Sequence, residues 1–385
     1  MEHPWLLLLP VSLGFLALYA LFAVYAERKV SAFMQDRLGP MEVGPKGLFQ
    51  TVADILKLLL KETIQPARAD KLLFLLAPIL VFCSVFAGFA VLPLAPGLAP
   101  SAMEVGLLYL LAIVSIDVIG LLLAGWSSNN KYALMGSVRS VSQIIAYEVP
   151  AGLALLAAVL TYGSLNLVEI VQLQGATSTE PVYFLGVWDV SAIGGLPAWG
   201  AFRYPHLLAG LGVYFIAGLA EANRAPFDIP EAESELIAGF HTEYSGFRFA
   251  VLFLAEYGVM LLVALVASIL FLGGYHTPLP NLQALPEQLQ SAHLSVGELF
   301  RHLQFATLTQ GYPGSVPGVL WAVFWLLLKA SVLVYIMIWI RWTFPRLRPD
   351  QLMRLCWKYL TPAAILLVLI SIGWKLAEVY GHLQP

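Results

Sequence analysis

The sequence predicts an all-α polytopic membrane protein, with about eight transmembrane helices and a cytoplasmic amphipathic helix lying at the interface. Three observations carry that expectation. The chain has 385 residues and is 59% hydrophobic but only 12% charged, about half the charged share of a soluble globular domain. Its mean hydropathy is +0.79. Its apolar runs also reach the roughly 20 residues that a helix needs to cross a bilayer core, and they lack the period-two alternation of barrel strands. The same composition argues against a disordered chain, a basic nucleic-acid binder and a disulfide scaffold. Cys83 and Cys356 lie in or beside apolar stretches, without the paired spacing of a zinc or iron–sulfur site.

The expected spans are about 5–24, 72–94, 105–126, 144–162, 206–222, 249–274, 318–340 and 360–377, forming one transmembrane helical-bundle domain over 1–385. The first has no basic n-region and runs into Glu27-Arg28-Lys29 without a small-residue cleavage site, so it reads as a retained helix. Of the 21 Lys and Arg, 17 fall in the loops after the odd-numbered spans. Eight of them lie between Arg28 and Lys71, and five between Arg341 and Lys358. The positive-inside rule then puts those loops in the cytoplasm and both termini outside. No internal repeat stands out. Loops 163–205 and 275–317 receive no function beyond contacts with neighbours.

Residues 47–62, GLFQTVADILKLLLKE, split at helical spacing. Leu48, Val52, Ile55, Leu56 and Leu59 share one face, and Gln50, Asp54, Lys57 and Lys61 another. Sixteen helical residues rise about 24 Å, so a segment this short and charged lies along the interface. Upstream, Gly39-Pro40 and Gly44-Pro45 interrupt the helix and shape a folded loop lined by Arg37 and Glu27-Arg28-Lys29. Such a loop beside an amphipathic helix can form the mouth of a cavity for an amphipathic ligand. For the amphipathic helix alone, a plain surface anchor is the bland reading.

The stretch 220–246, AEANRAPFDIPEAESELIAGFHTEYSG, sets Glu221, Asp228, Glu231, Glu233, Glu235 and Glu243 against one base, Arg224. Pro226 and Pro230 drive the preceding residues out of the α region, so the fifth span breaks there. A solvated acidic loop is the bland reading. Glu221 at the end of an apolar run, and Leu236, Ile237 and Phe240 among the acids, point instead to partial burial. Crowded carboxylates withdrawn from water can hold and pass protons near neutral pH. Asp117, Glu148, Glu256 and Lys329 lie within or at the ends of spans, where an ionisable side chain costs a few kcal/mol and marks a candidate functional position. An ion pair of Lys329 with Asp117 or Glu256 is the structural alternative.

Four blocks resemble a known family: residues 26–62, 125–148, 220–246 and 339–362 are similar to the H subunit of bacterial respiratory complex I, the proton-pumping NADH:quinone oxidoreductase. The match covers all four basic loops. It implies a membrane-arm subunit, enzymatic as part of the complex but with no catalytic residue or redox centre of its own. It also implies quinone, ubiquinone or menaquinone, as substrate, and no flavin, iron–sulfur cluster or metal on this chain. By the resemblance, Glu27, Arg28, Arg37, Asp54 and Lys57 are quinone-path positions. Glu148, Glu221, Arg224, Asp228, Glu231, Glu233, Glu235, Glu243 and Glu256 form the acidic proton path, with Arg224 as charge partner. Arg341, Arg346 and Arg348 serve docking of the peripheral arm. The implied partners are the peripheral subunits of the quinone site and terminal cluster, small membrane-arm subunits and lipid, with no nucleic acid; the implied location is the bacterial inner membrane.

Three rivals stay open at this level. The equivalent subunit of a membrane-bound hydrogenase or ferredoxin-linked complex would need no quinone. A proton-coupled transporter predicts pseudo-symmetric halves with charges at the midplane. A structural anchor predicts that neutralising the acids harms assembly more than turnover.

Overall fold

A computed structural model describes residues 5–99, 101, 103–175, 183–185, 188–189, 195–229, 236–279 and 316–380. Among them the chain is helical, apart from a two-stranded antiparallel pair, Tyr183–Phe184 with Trp188–Asp189. The helices used below are α1 (Trp5–Met34), α2 (Gln50–Leu60), α3 (Lys71–Gly88), α4 (Gly106–Val114), α5 (Ile116–Ser127) and α6 (Lys131–Tyr162). They continue with α7 (Leu167–Gln172), α8 (Gly200–Arg203), α9 (Pro205–Glu221), α10 (Gly246–Phe271), α11 (Val316–Thr343), α12 (Pro349–Arg354) and α13 (Thr361–Val379).

Among the described residues six stretches are long and apolar enough to cross a membrane: Lys71–Val91, Gly106–Ser127, Lys131–Tyr162, Gly246–Phe271, Gly318–Thr343 and Pro349–Glu378. α9 is apolar but only 17 residues long. α1 has 30 residues and includes the first expected span. The protein is therefore a multi-pass, all-α membrane protein.

α10 is the axis of the bundle. Every residue from Tyr257 to Phe271 is buried, as expected of a helix that is apolar all round. α3, α9 and α11 pack on it, while α6 packs against α5, α9 and α13. Small residues permit the closest crossings. A Cβ at Gly218 would stand 2.2 Å from Val263 Cγ1, and one at Gly120 would stand 2.6 Å from Val81 Cγ2.

Three boundaries differ most from the sequence expectation: α1 runs on to Met34, well past the expected end at 24, and two later helices start early. The fourth span is expected at 144–162, yet α6 begins at Lys131, where the Asn130 side chain accepts a hydrogen bond from Tyr132 N at 2.9 Å. The polar residues from Lys131 to Gln143 lower the hydropathy without breaking the helix. The last span, expected at 360–377, is continuous with α12 through a π-helical stretch, Leu355–Leu360. Elsewhere the ends follow local chemistry. Asp70 caps α3 by accepting from Leu72 N and Leu73 N, and Pro205 and Pro349 sit in the first turns of α9 and α12.

Candidate functional site: a charged cavity joined to an acidic void

A cavity of about 520 Å³ opens where α1, the loop after it, the turn after α9, α10 and the end of α11 meet. Glu27 stands at its centre and is only 6% exposed. Its carboxylate accepts from Arg224 Nη1 at 3.1 and 3.3 Å, from Arg341 and from the Tyr257 hydroxyl. The Arg224 guanidinium also lies over the Tyr257 ring, 4.5 Å from its centroid. Burial opposes the charge on Arg224, but Glu27, Tyr257 and Glu256 together outweigh it and raise its pKa above the ordinary guanidinium value. Two guanidiniums on one carboxylate leave a net positive charge, and Arg224 Nη2 has no hydrogen-bond partner among the described residues.

The other expected quinone-path residues surround this centre. Arg28 pairs with Asp54, tying α1 to α2, and Gln50 donates to the same carboxylate at 3.2 Å. Arg37 lines the cavity and is exposed. Lys57 is exposed on α2 and does not line it. Gly39 and Gly44, with φ of +66° and +74°, give the intervening loop its turns. The apolar side of α2 is left open: Leu48, Val52, Ile55, Leu56 and Leu59 are all exposed.

A second, small void of about 20 Å³ is bounded by Asp117 from α5, Glu221 from α9 and Glu256 from α10. That is room for about one water. Asn223 and Glu256 line both this void and the larger cavity. Glu148, half-buried on α6, lies within electrostatic reach of Asp117 and Glu221. His241 Nε2 meets Glu256 Oε1 at 2.8 Å.

The remaining expected site residues separate. Among the described residues Arg224 pairs with Glu27 and with no acid of its own segment, although Glu256 is near enough to add to its field. Asp228 lines the larger cavity and accepts from Arg346 Nη2 at 2.9 Å. Glu243 accepts from Asn130 Nδ2 at 2.6 Å, at the start of α6 and away from the void. Arg341, expected at the docking face, reaches inward to Glu27, whereas Arg348 is exposed. Glu231, Glu233 and Glu235 lie outside the described residues. Lys329 pairs with neither Asp117 nor Glu256: its ammonium donates to Leu272 O and His276 O, each at 2.7 Å, and covers the Trp199 ring. Its place at the C-terminal carbonyls of α10 is one that favours a cation.

Sequence reasoning does not single out Tyr257, His241 or Asn223. His241 and Asn223 stand inside the 220–246 block, which is the available signal. Tyr257 adjoins Glu256, but one aromatic on an apolar helix reads as core.

The family profile described as NADH dehydrogenase matches residues 7–372. The chain is 51% identical over 371 residues to the second NADH-quinone oxidoreductase H subunit of Cytophaga hutchinsonii, covering 94% of this chain and 96% of that protein. It is 48% identical over 365 residues to the H subunit of Chlorobaculum parvum, with 94% and 90% covered, and 42% identical over 365 residues to that of Brevibacillus brevis, with 95% and 90% covered. The fold and the paired cavities thus belong to a polytopic membrane subunit of a respiratory oxidoreductase. The chain belongs to the NADH dehydrogenase family, and the relatives it matches are H subunits of NADH-quinone oxidoreductase.

Proposed function

We propose that the chain is the membrane-arm subunit of a bacterial NADH:quinone oxidoreductase that admits quinone from the bilayer and relays its reduction to proton translocation. It works with the peripheral subunits that carry the electrons, sits in the inner membrane, and keeps its basic loops in the cytoplasm and both termini outside. The observation that carries this reading is the 520 Å³ cavity around Glu27, Arg224 and Arg341, with Asn223 and Glu256 shared with the acidic void.

The roles follow from charge. A quinone carbonyl is an acceptor, and the two guanidiniums supply donors in a cavity that Arg28 ties to α2 through Asp54; the exposed apolar side of α2 is where a prenyl tail can approach. Reduction of quinone to quinol consumes two electrons and two protons, and charge arriving in the cavity competes with Glu27 for Arg224 and Arg341. At a separation of about 8 Å and an effective dielectric of about 20, one unit of charge is felt at about 2 kcal/mol. That is enough to change the occupancy of a shared proton more than tenfold. Glu256, lining both cavities, is the residue through which Asp117, Glu221 and Glu148 sense that change. The proton path is proposed to continue through Glu231, Glu233 and Glu235, with Asp228 held by Arg346 at its border. Arg348 and the exposed basic residues around it receive the peripheral arm.

The test is the assembled complex carrying Glu256→Gln. NADH-to-quinone turnover coupled to proton uptake is expected to fall about tenfold, while transfer from NADH to a soluble artificial acceptor is unchanged. Equal loss of both activities, or retention of both, refutes the coupling role.

A further inference from the structure

The turn that carries Arg224 is gripped by a residue outside both cavities. α9 ends at Glu221, and the chain reverses through Asn223, whose φ of +49° lies in the left-handed region that Asn tolerates. The turn's backbone bonds are short-range: Asn223 N donates to Ala220 O at 3.1 Å, Arg224 N to Leu219 O at 3.3 Å, Phe227 N to Arg224 O at 2.8 Å and Ile229 N to Phe227 O at 3.0 Å, with Leu347 N reaching Pro226 O from outside at 3.1 Å. Gln143 approaches from α6 and is 2% exposed. Its Nε2 donates its two hydrogens to Ala220 O and Phe227 O, both at 2.8 Å, with Asn223 Oδ1 within sharing distance at 3.2 Å. Asn223 Nδ2 in turn donates to Ser140 Oγ at 3.1 Å, one helical turn away on α6.

Carbonyl satisfaction does not account for this amide. Ala220 O already accepts from Asn223 N at 3.1 Å, and Phe227 O from Ile229 N at 3.0 Å. Gln143 Oε1, meanwhile, is buried with no hydrogen-bond partner among the described residues, an arrangement that costs stability. What only the amide supplies is a bridge between the two ends of the turn. Glu221 and Arg224 lie between the bridged carbonyls, and Asp228 follows the second. One side chain therefore sets the acid at the small void, the guanidinium on Glu27 and the carboxylate on Arg346.

We infer that Gln143 is a positioning residue for quinone turnover, holding Arg224 against Glu27 by bridging Ala220 and Phe227 across the turn. The inference rests on the quinone reading above. Gln143→Met keeps the volume and removes both donors. Gln143→Asn keeps an amide too short to span the turn, and is the milder variant should the first fail to assemble. Each is measured in the assembled complex, alone and combined with Arg224→Met, for kcat and KM with a short-chain quinone and for transfer to a soluble acceptor.

The expected result is a fall of about tenfold in kcat/KM for quinone with Gln143→Met, the scale of one buried hydrogen-bonding group lost. A smaller fall is expected with Gln143→Asn, and acceptor activity stays unchanged in both. The combined variant is expected to be no worse than Arg224→Met alone, because the two residues act through one interaction. Losses that add in the combined variant, or Gln143 variants with full quinone activity beside an impaired Arg224→Met, overturn the positioning role and leave the quinone reading intact. An Arg224→Met complex with unaltered quinone kinetics overturns the quinone reading itself.

Discussion

Glu27 holds Arg224, Arg341 and Tyr257 at once, and removing its charge alone strands two guanidiniums, one of them buried. Glu27→Gln is expected to destabilise the protein by about 3 kcal/mol, read as a lowered Tm in detergent. Adding Arg341→Met is expected to recover part of that loss, because it removes one of the two like charges left facing each other. His276 gives a pH signature at the other end of α10. Its Nε2 meets Val171 O at 2.9 Å, and burial, reinforced by Lys329, lowers its pKa from 6.5 to about 4. The unfolded chain then binds more protons between those values, so stability is complete above about 6.5 and falls as the pH drops towards 4. The scale is about 3 kcal/mol. His276→Gln is expected to flatten the fall in Tm over that window. At this scale the sequence is only partly legible. It marks Glu27, Arg224 and Arg341 as special, but they lie in three blocks, with Glu27 and Arg341 separated by 314 positions. No spacing rule pairs residues that distant.

Among the elements, α2 is the most readable, because an amphipathic period states directly which side avoids water. The observed helix, Gln50–Leu60, sits inside the 47–62 expectation and keeps the same faces. α6 is the least readable. Hydropathy reports what a helix touches and says little about where it begins, so the polar turns from Lys131 to Gln143 read as loop. Those turns carry Gln143 and Ser140, and Asn130 stands at their head. Asn130 both caps α6 and donates to Glu243. Asn130→Ala is expected to cost about 1 kcal/mol. Asn130→Asp, which retains the cap but sets a second carboxylate against Glu243, is expected to be less stable than wild type above the carboxylate pKa range and to recover on acidification. Thermal melts of both variants at two pH values check this.

For the whole molecule, fold class is legible because bilayer thickness fixes helix length and water fixes where charge can sit. The neighbours of each helix are not, since close packing of small residues such as Gly218 on Val263 leaves no period to read. The placement of cations also makes a topological prediction. A single cysteine at Lys61, in a chain whose own cysteines are replaced, is expected to react with an impermeant thiol reagent only in inverted vesicles, and one at Tyr380 only in intact cells. The opposite pattern reverses the orientation.

The burial of α10 has one more consequence. From Met260 to Phe271 every residue is buried and borders neither cavity, whereas one turn earlier Glu256 borders both. In deuterated buffer the backbone amides before Met260 should take up label through the cavities, and those beyond it should be among the slowest in the chain. Isotope uptake along this single helix would then mark the depth at which the solvent-reachable half of the bundle ends and its sealed half begins.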